Sequence, residues 1–456
     1  MNLSRNTDNH LPPFENHRSG NRPLRIALYS HDTCGLGHMR RNLLIAQTLA
    51  EQFPSASILL VTGAREVSSF QFPERVDAVS LPSLYKKANE VYAARSLDID
   101  ISDLIHLRSC IIKTSIEAFN PDVFIVDKVP RGTMGELDET LAYLAQHTKA
   151  HCVLGLRDIL DSPEITKAEW AGSRNTETIE KYYDSIWVYG DTVVHDLASA
   201  YSLSDDISRR MTYVGYLNPS VRLEKANPDA QDNALLDLLG DQFYLCAVGG
   251  GQDGMEVSEA FANASFPAGV NGLIVTGPHM PPASAARLQE LVDTKDHLTL
   301  VTFLPEPLHV YTAAKRIVAM GGYNTTLELL GIGARALIVP RVYPRAEQWI
   351  RSDAMQKLGL LDYLHPDELS AGSISDWFSA PVKKIKASEI IDMDGLKRIP
   401  ELVRSLVSER TASVRKQDFA RSKSEDSESI RGESNVRKTK NSNTKKPAIQ
   451  KHHAIN

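Results

Sequence analysis

The chain has 456 residues, 42% hydrophobic and 24% charged, a composition typical of globular proteins and unlike that of disordered or fibrous ones. The net charge of −6 is unevenly distributed along the chain. Residues 411–456 carry 11 Lys and Arg against 5 Asp and Glu, and residues 1–22 carry a net charge of +1, which leaves −13 for residues 23–410. An acidic body of this kind argues against a fold built to hold nucleic acid. No apolar run reaches the ~18 residues of a membrane span, no apolar signal core begins the chain, and four widely separated cysteines favour reduced thiols in a cytoplasmic protein.

The chain begins with a polar stretch, residues 1–22, which is predicted to be disordered. Short apolar runs then alternate with helical patterns. Strands are predicted over residues 24–30, 56–62, 76–81, 122–126, 152–156 and 185–189. Helices are predicted over residues 39–50, 102–119 and 136–147. Continuous apolar strands separated by helices are typical of parallel sheets covered on both faces.

A stretch rich in Pro, Asn and Asp, residues 216–232, interrupts this pattern, which then restarts. Further strands are predicted over residues 244–248, 272–276, 298–303, 317–320 and 336–340, with helices over 255–264, 283–292, 325–332 and 346–358. We therefore predict an N-terminal domain (23–216), a linker (217–240), a C-terminal domain (241–410) and a disordered basic tail (411–456). Two such α/β domains usually bind ligands in the cleft at the carboxyl ends of their strands.

The first motif, His31 to Arg41 (HDTCGLGHMRR), lies between the first strand and the first helix. Gly35 and Gly37 allow a tight turn close to a ligand, but Arg40 stands where a dinucleotide fingerprint needs its third glycine, which disfavours NAD. Two arginines in the first helical turn oppose the helix dipole, so a bound anion or simple exposure would explain them. His38 is either a general base or a packing histidine.

The second motif, residues 249–254 (GGGQDG), follows the first strand of the second series. Gly250 and Gly251 allow either the close approach of a phosphate or a plain tight turn. Two D-x-D triplets, residues 98–100 and 392–394, follow no clear strand, and we interpret both as solvent-exposed, so no metal site is predicted.

The third motif, residues 320–328 (MGGYNTTLE), gives the strongest signal. A helix starting at Asn324 or Thr325 would direct free N–H groups at a diphosphate. Glu328 either accepts hydrogen bonds from ribose hydroxyls or completes a capping box with Thr325. The spacing alone leaves both interpretations open.

The fourth motif, residues 340–348 (PRVYPRAEQ), forms a loop that leaves the next strand. Glu347 and Gln348 could hold sugar hydroxyls, and Arg341 and Arg345 could neutralise a leaving diphosphate. An exposed helix start is the alternative.

Together these motifs resemble the GT-B glycosyltransferases, most closely family 28, over about residues 24–365. The resemblance implies two Rossmann-like domains facing across a cleft, with the acceptor bound by the first and the nucleotide-sugar by the second. It also implies site roles: Phe303 and Leu304 read uracil; Gly322, Tyr323, Asn324 and Thr325 hold the diphosphate; Glu328 holds the ribose; Glu347 and Gln348 meet the donor sugar; and His38 closes the first glycine loop.

The activity implied is that of an inverting hexosyltransferase (EC 2.4) with a UDP-sugar as co-substrate and neither metal nor other cofactor. His38 is the preferred base, with Asp127 or Asp32 as alternatives. Glu347 stands where the family usually has a glutamine, so the sugar is either a hexose or an N-acetylhexosamine.

The acceptor stays open between a glycan, a lipid-linked molecule and a small molecule, in cell envelope or polysaccharide biosynthesis. Peripheral contact with the inner face of the membrane is a further hypothesis for this cytoplasmic protein. A nucleotide-sugar 2-epimerase and a non-catalytic UDP-sugar sensor are the alternative functions.

Overall fold

The computed structural model describes residues 22–32, 37–86, 92–223, 230–304, 306–381 and 386–408. Within these ranges the chain up to Pro400 forms one compact unit, and residues 401–408 are helical. The two ends predicted to be disordered lie outside the described residues, apart from Arg22. So do Thr33, Cys34 and Gly35 of the first motif.

The first half of the unit contains a parallel sheet. Its strands, with those of a separate hairpin, are β1 (Arg25–Ser30), β2 (Ser57–Thr62), β3 (Val76–Ser80), β4 (Leu84–Lys86), β5 (Tyr92–Ala94), β6 (Val123–Asp127), β7 (His151–Arg157), β8 (Ser185–Tyr189) and β9 (Met211–Tyr213). Its helices are α1 (Gly37–Gln52), α2 (Ile101–Phe119), α3 (Asp138–His147), α4 (Pro163–Gly172), α5 (Asn175–Tyr182), α6 (Leu197–Tyr201) and α7 (Asp205–Arg210). The sheet order is β3-β2-β1-β6-β7-β8-β9, and β4 and β5 pair antiparallel.

The second half repeats this design. Its strands are β10 (Phe243–Ala247), β11 (Asn271–Val275), β12 (Leu298–Val301), β13 (Arg316–Ala319), β14 (Ala336–Ile338) and β15 (Asp362–Tyr363), in the parallel order β12-β11-β10-β13-β14-β15. Its helices are α8 (Ala230–Leu239), α9 (Met255–Ala262), α10 (Pro282–Asp293), α11 (Leu308–Ala313), α12 (Tyr323–Gly331), α13 (Glu347–Lys357) and α14 (Ala371–Ser379). A last helix begins at residue 395, and its described part ends at residue 408.

Helices pack against these sheets as the apolar runs predict. The strands β6 and β10 lie inside their sheets and are buried along their whole length. The prediction of parallel α/β architecture is confirmed, and most predicted strands agree with the observed ones to within one or two residues. α8 lies in the segment predicted as a linker, and it is tied to the second sheet by a 2.9 Å hydrogen bond from Asn271 Nδ2 to the Leu239 carbonyl.

Two stretches of chain connect the halves side by side. The backbone N–H of Tyr216 donates to the carbonyl of Asp392 (2.7 Å), and the N–H of Gly395 donates to the carbonyl of Tyr216 (3.1 Å). Leu217 and Asp394 form an antiparallel bridge between the same two stretches. The chain therefore returns to the first half before its last helix begins.

Candidate functional site

His38 and Asp127 form a buried pair beside the carboxyl end of the first sheet. His38 lies in the first turn of α1, which follows β1, and Asp127 ends β6, the neighbour of β1 in the sheet. Nδ1 of His38 contacts Oδ2 of Asp127. The two residues predicted to be catalytic are therefore brought together by strand pairing.

Arg41 holds the same carboxylate in a bidentate arrangement. Its Nε donates to Oδ1 of Asp127 at 2.8 Å, and its Nη2 donates to Oδ2 at 2.6 Å. Near the same helix start, the backbone N–H of Met39 donates to Oδ1 of Asp32 at 2.9 Å. The protein's own carboxylates therefore supply the negative charge here, so Arg41 is neither an exposed arginine nor in need of a bound anion.

The other ring nitrogen of His38 meets a second arginine. Nε2 lies 3.1 Å from Nη2 of Arg157. Nη2 of Arg41 also lies 2.9 Å from Nδ1, so guanidinium donors face both ring nitrogens. A neutral imidazole carries one N–H, and only Nδ1 has an acceptor beside it, the carboxylate of Asp127, so we assign Nδ1–H as the donor to Asp127 and Nε2 as the acceptor. This tautomer suits a general base, but a substrate hydroxyl can reach Nε2 only if Arg157 moves away.

Electrostatics keep this pair in its neutral-imidazole, ionised-carboxylate form. Burial, with the charge of Arg157, holds the pKa of His38 well below its usual range. Burial alone would raise the pKa of Asp127, but Arg41 and His38 outweigh it and lower that pKa. The ring of His31 lies 4.6 Å from that of His38, and burial lowers its pKa to about 3.

Asp32, an alternative base, connects the ends of β1 and β2 to the first turn of α1. Its carboxylate accepts hydrogen bonds from the hydroxyls of Ser30 and Thr62, the latter at 2.6 Å, as well as from Met39. Burial raises the pKa of Asp32 to about 6 against the effect of these bonds. Both of its oxygens are therefore occupied by donors of the protein itself.

The helix α12 of the second half has its N-terminus beside the start of α1, next to the His38–Asp127 pair. It begins at Tyr323, slightly earlier than predicted, with Gly322 as its N-cap residue. Nδ2 of Asn324 donates to the carbonyl of Gly37 (2.9 Å), which directly precedes His38. Gly322, Asn324 and the adjacent Thr325 thus lie where the two halves meet.

Tyr323 is the centre of an aromatic and cationic cluster. Its hydroxyl donates to the carbonyl of Tyr189 at the end of β8 (2.8 Å). The guanidinium carbons of Arg41, Arg157 and Arg351 lie 5.4, 5.8 and 5.4 Å from its ring centroid, within the range of cation–π contacts. The resemblance placed Tyr323 at the diphosphate, and here its side chain joins the halves.

The interpretation of Thr325 and Glu328 as a capping box is wrong. The N-cap is Gly322, and it has no side-chain capping bond. Oε1 of Glu328 instead lies 3.2 Å from Nη2 of Arg222. Burial raises the pKa of Glu328, although Arg222 and Arg40 oppose this.

A small, open pocket, which we call the cavity at Glu328, lies beside that residue. It is bounded by α1, by the chain that leaves β9 and by the first turns of α12. Its lining residues are Arg40, Arg41, Leu44, Leu217, Pro219, Arg222, Tyr323, Asn324, Leu327 and Glu328. Glu328 and Asn324 of the third motif therefore share a cavity with Arg40 of the first.

Phe303 and Leu304 lie in the loop after β12, because that strand ends at Val301, two residues earlier than predicted. Leu304 is buried and Phe303 partly buried. The guanidinium carbon of Arg40 lies 5.6 Å from the Phe303 ring centroid, so the first half reaches this loop.

Two glycines of the second motif differ in the space that a side chain would have. Gly251 has φ +91°, and a Cβ atom there would lie 2.0 Å from the carbonyl oxygen of Thr276, so only glycine fits. Gly250 has more space, because the nearest atom to a Cβ at that position would be Cδ2 of His279, at 3.7 Å. The tight-turn interpretation thus accounts for Gly251 without a ligand.

The fourth motif is held by its own ion pairs. Glu347 and Gln348 start α13; Oε1 of Glu347 lies 2.8 Å from Nη2 of Arg341, and Oε1 of Gln348 accepts from the backbone N–H of Arg341 at 3.0 Å. Nη1 of Arg345 lies 3.0 Å from Asp161 of the first half. Arg341 and Arg345 thus pair with carboxylates, and neither lines the cavity at Glu328.

Three charged residues at the carboxyl ends of β6 and β7 were missed from the sequence: Lys128, Arg157 and Asp158. They end or directly follow the observed strands β6 and β7, within two residues of the predicted strand ends, which is the position where α/β sheets carry functional side chains. That position was the available signal. Asp158 forms a buried bidentate pair with Arg351 of α13, with Nη2–Oδ1 at 2.6 Å and Nε–Oδ2 at 2.9 Å.

Within the described ranges, no group of three or more His, Cys, Asp or Glu side chains is arranged to hold a metal ion. The same part of the chain contains no helix that is long and apolar enough to span a bilayer. Of the described cysteines, Cys110, Cys152 and Cys246 are free thiols.

Comparison with known proteins gives structural relatives only. The sequence matches no protein-family model, and no curated protein matches it. MurG of Acinetobacter baumannii superposes with a TM-score of 0.51 at 12% identity, covering 84% of this chain and 100% of MurG. UGT73P12 of Glycyrrhiza uralensis gives 0.57 at 11% identity, covering 87% and 98%.

A third relative has a different activity. The UDP-GlcNAc 2-epimerase of Neisseria meningitidis, bound to UDP-GlcNAc, gives a TM-score of 0.57 at 13% identity, covering 85% of this chain and 100% of the epimerase. Because these identities are low, the comparisons establish the fold. The chain has the GT-B fold, as predicted, and resembles both glycosyltransferases and epimerases of that fold.

Proposed function

We propose that this protein is a glycosyltransferase that moves a hexose or N-acetylhexosamine from a UDP-sugar to an acceptor, with inversion and without a metal. The supporting observation is that two sets of residues meet at the start of α12. Asn324 contacts Gly37, next to the His38–Asp127 pair, and Glu328 lies one turn further in the adjoining cavity. A base and a nucleotide-binding carboxylate would then act on opposite ends of one donor.

The proposed reaction is a single displacement at the anomeric carbon. Nε2 of His38 takes the proton of the acceptor hydroxyl while its oxygen attacks, and Asp127 stabilises the imidazolium that forms. The bond from the anomeric carbon to UDP breaks, and UDP leaves with the electron pair. The N–H groups at the start of α12 stabilise the diphosphate, and attack from the opposite face inverts the configuration.

Glu328 is proposed to receive the ribose hydroxyls after Arg222 releases it. Arg222 has a second carboxylate, Glu306, with Nε–Oε2 at 3.5 Å, so it keeps an ion partner when the nucleotide enters. Phe303 and Leu304 are proposed to contact the uracil, and Glu347 and Gln348 the sugar.

The proposal is tested with the full-length protein and a panel of nucleotides. UDP is expected to raise the melting temperature more than ADP or GDP at equal concentration, because a ligand that binds only the folded state stabilises it by mass action. Equal shifts with all three would overturn the uridine assignment.

Labelled UDP-sugar then separates the alternatives. A transferase yields a glycosylated product only with an acceptor, an epimerase yields an isomeric UDP-sugar alone, and a sensor binds without product. The epimerase stays a candidate because an enzyme of that activity superposes as well as the glycosyltransferases do. His38→Ala should abolish transfer and leave UDP affinity unchanged.

A further inference from the structure

Lys128 and Arg157 differ from the other cations around the cleft because neither has a carboxylate partner. Nζ of Lys128 forms no hydrogen bond or ion pair with any residue that the structure describes. Arg157 donates to the neutral ring of His38, and its Nε is buried without a partner among the described residues. By contrast, Arg41, Arg345 and Arg351 each pair with an aspartate.

The backbone holds Lys128 in an unfavourable conformation. Its φ is +65°, in the left-handed region that non-glycine residues rarely occupy. The N–H of Val129 donates to the carbonyl of Asp127 across it (2.8 Å), which makes a γ-turn, and its own N–H donates to the carbonyl of Gly155 (2.7 Å). Strain of this kind persists where the surrounding structure enforces it, most often at functional sites.

The charges around Lys128 come from both halves. Asp127, His31 and Arg157 face it from the first sheet, and Glu347 and Arg345 face it from the start of α13. Burial, together with Arg157, lowers the pKa of Lys128 to about 8, and burial with Arg41 lowers the pKa of Arg157 to about 10. Two partly buried cations that lie near each other are stabilised by an anion placed between them.

We propose that Lys128 and Arg157 bind an anionic group, a phosphate or a carboxylate, that is carried by the acceptor. The acceptor is favoured over the donor because neither cation lines the cavity that contains Glu328, and because both lie at the strand ends beside His38. Only the assignment of the anion to the acceptor rests on the proposed transferase activity. The anion site itself is inferred from the two cations.

The site also links acceptor binding to the base. An anion that draws Arg157 away from Nε2 of His38 leaves that nitrogen free to accept the proton of the acceptor hydroxyl. In the absence of the acceptor, Arg157 occupies Nε2 and water is not activated there. The donor is thereby protected from hydrolysis until the acceptor is in place.

The test is calorimetric titration of the full-length protein with inorganic phosphate at pH 8 and low ionic strength, in two buffers of different ionisation heat. Lys128→Met is expected to weaken phosphate binding at least about tenfold, because a charge-assisted bond is lost. Lys113→Met removes the same charge from an exposed ion pair on α2 and should leave binding unchanged. Thermal melting confirms that each variant is folded.

Proton uptake provides a second measurement that a merely structural lysine would not change. Because Lys128 is about half protonated at pH 8, an anion that raises its pKa should draw up to about half a proton from the buffer. Lys128→Arg should keep the affinity within about threefold but take up no proton, because arginine stays charged.

Several results would overturn the proposal. Wild type without saturable phosphate binding, or with the same affinity as Lys128→Met, would show that the cations form no anion site. If Lys128→Met weakens UDP as much as phosphate, the cations serve the donor diphosphate and the acceptor assignment is wrong. Phosphate binding without any UDP binding would overturn the proposed function and leave the anion site standing.

Discussion

Two groups of charged residues lie near the meeting point of the halves, and they differ in how their charges are balanced. Arg351 and Arg345 of the second half pair with Asp158 and Asp161 of the first. Lys128 and Arg157, at the ends of adjacent strands, form no direct ion pair with a carboxylate among the described residues, although Asp127 and Glu347 lie near Lys128. The first group joins the two halves, whereas the second leaves positive charge without a direct ion pair beside His38.

This difference in charge balance distinguishes charged residues that stabilise the fold from charged residues that are available to bind a ligand. A buried pair is costly to break because the remaining partner is left uncompensated in a desolvated place. Removing the charge of a cation that has no ion pair breaks no such pair and should cost little stability. It should instead weaken the binding of an anionic ligand, because the ligand loses its counter-charge. Stability and ligand affinity should therefore respond in opposite ways to substitutions in the two groups.

Breaking the balanced group should have the largest effect. Arg351→Met leaves the buried carboxylate of Asp158 without a counter-charge, with only the Tyr216 hydroxyl at 3.1 Å and the backbone N–H of Ile159 at 2.8 Å, and should lower the free energy of unfolding by about 3–5 kcal/mol. Denaturant unfolding measures this. Arg174→Met, which removes an exposed pair with Glu177, is the control and should change stability by less than about 1 kcal/mol. A loss equally small for Arg351→Met would show that the pair does not hold the halves.

The Glu328–Arg222 pair combines features of both groups, because Glu328 is ion-paired and is also proposed to bind a ligand. If Glu328 serves the ribose, Glu328→Ala should weaken UDP binding by about 1.5–3 kcal/mol and change stability little, since Arg222 keeps Glu306. Calorimetric titration with UDP and a melting curve measure the two quantities. Glu259→Ala, in a surface pair with Arg287, is the matched control. A lowered melting temperature with unchanged UDP affinity would place Glu328 among the structural charges.

Replacing the unpaired lysine should have a smaller effect of opposite sign. Lys128→Gly relieves the left-handed backbone and should raise the free energy of unfolding by about 1 kcal/mol, although it removes the proposed anion ligand. Lys128→Ala keeps the strain and should give no such gain. Equal stability of the two variants would show that the γ-turn is not strained.

The effect of pH provides a further test of the same lysine. The pKa of Lys128 is lowered to about 8 in the folded protein, whereas an unfolded lysine titrates near 10.4. Between these values the unfolded chain binds more protons, so the stability of wild type relative to Lys128→Met should rise as the pH increases from about 7 to about 9.5 and be constant below about 7. Unfolding curves of both proteins across this range measure the difference. A difference independent of pH would mean that Lys128 titrates normally.

The sequence was sufficient for the elements that are set by local apolar content. β6 and β10 were predicted to within one residue because their side chains form unbroken apolar runs. The short strands β9 and β15, with three and two residues, were not predicted, because they lie at sheet edges where pairing with a neighbour decides the conformation. The hairpin of β4 and β5 carries no turn motif in its described residues.

For the site, residue types at strand and helix ends were predictable and their partners were not. His38 and Asp127 were selected separately, but their contact depends on the neighbouring strands β1 and β6. The pairing of Glu328 with Arg222 joins residues 106 positions apart. The γ-turn at Lys128 has no sequence signature, since a lysine is an unexpected residue at positive φ.

The double connection between the halves has a mechanical consequence. Because the outgoing chain at Tyr216 and the returning chain at Asp392 are hydrogen-bonded to each other, the second half is attached through two adjacent stretches at one edge. Two attachments side by side act as a hinge: they resist sliding and permit rotation about the line that joins them. The Tyr216 hydroxyl also bonds Asp158, so the buried Asp158–Arg351 pair lies next to the rotation axis, where displacement is smallest and the contact persists as the cleft opens.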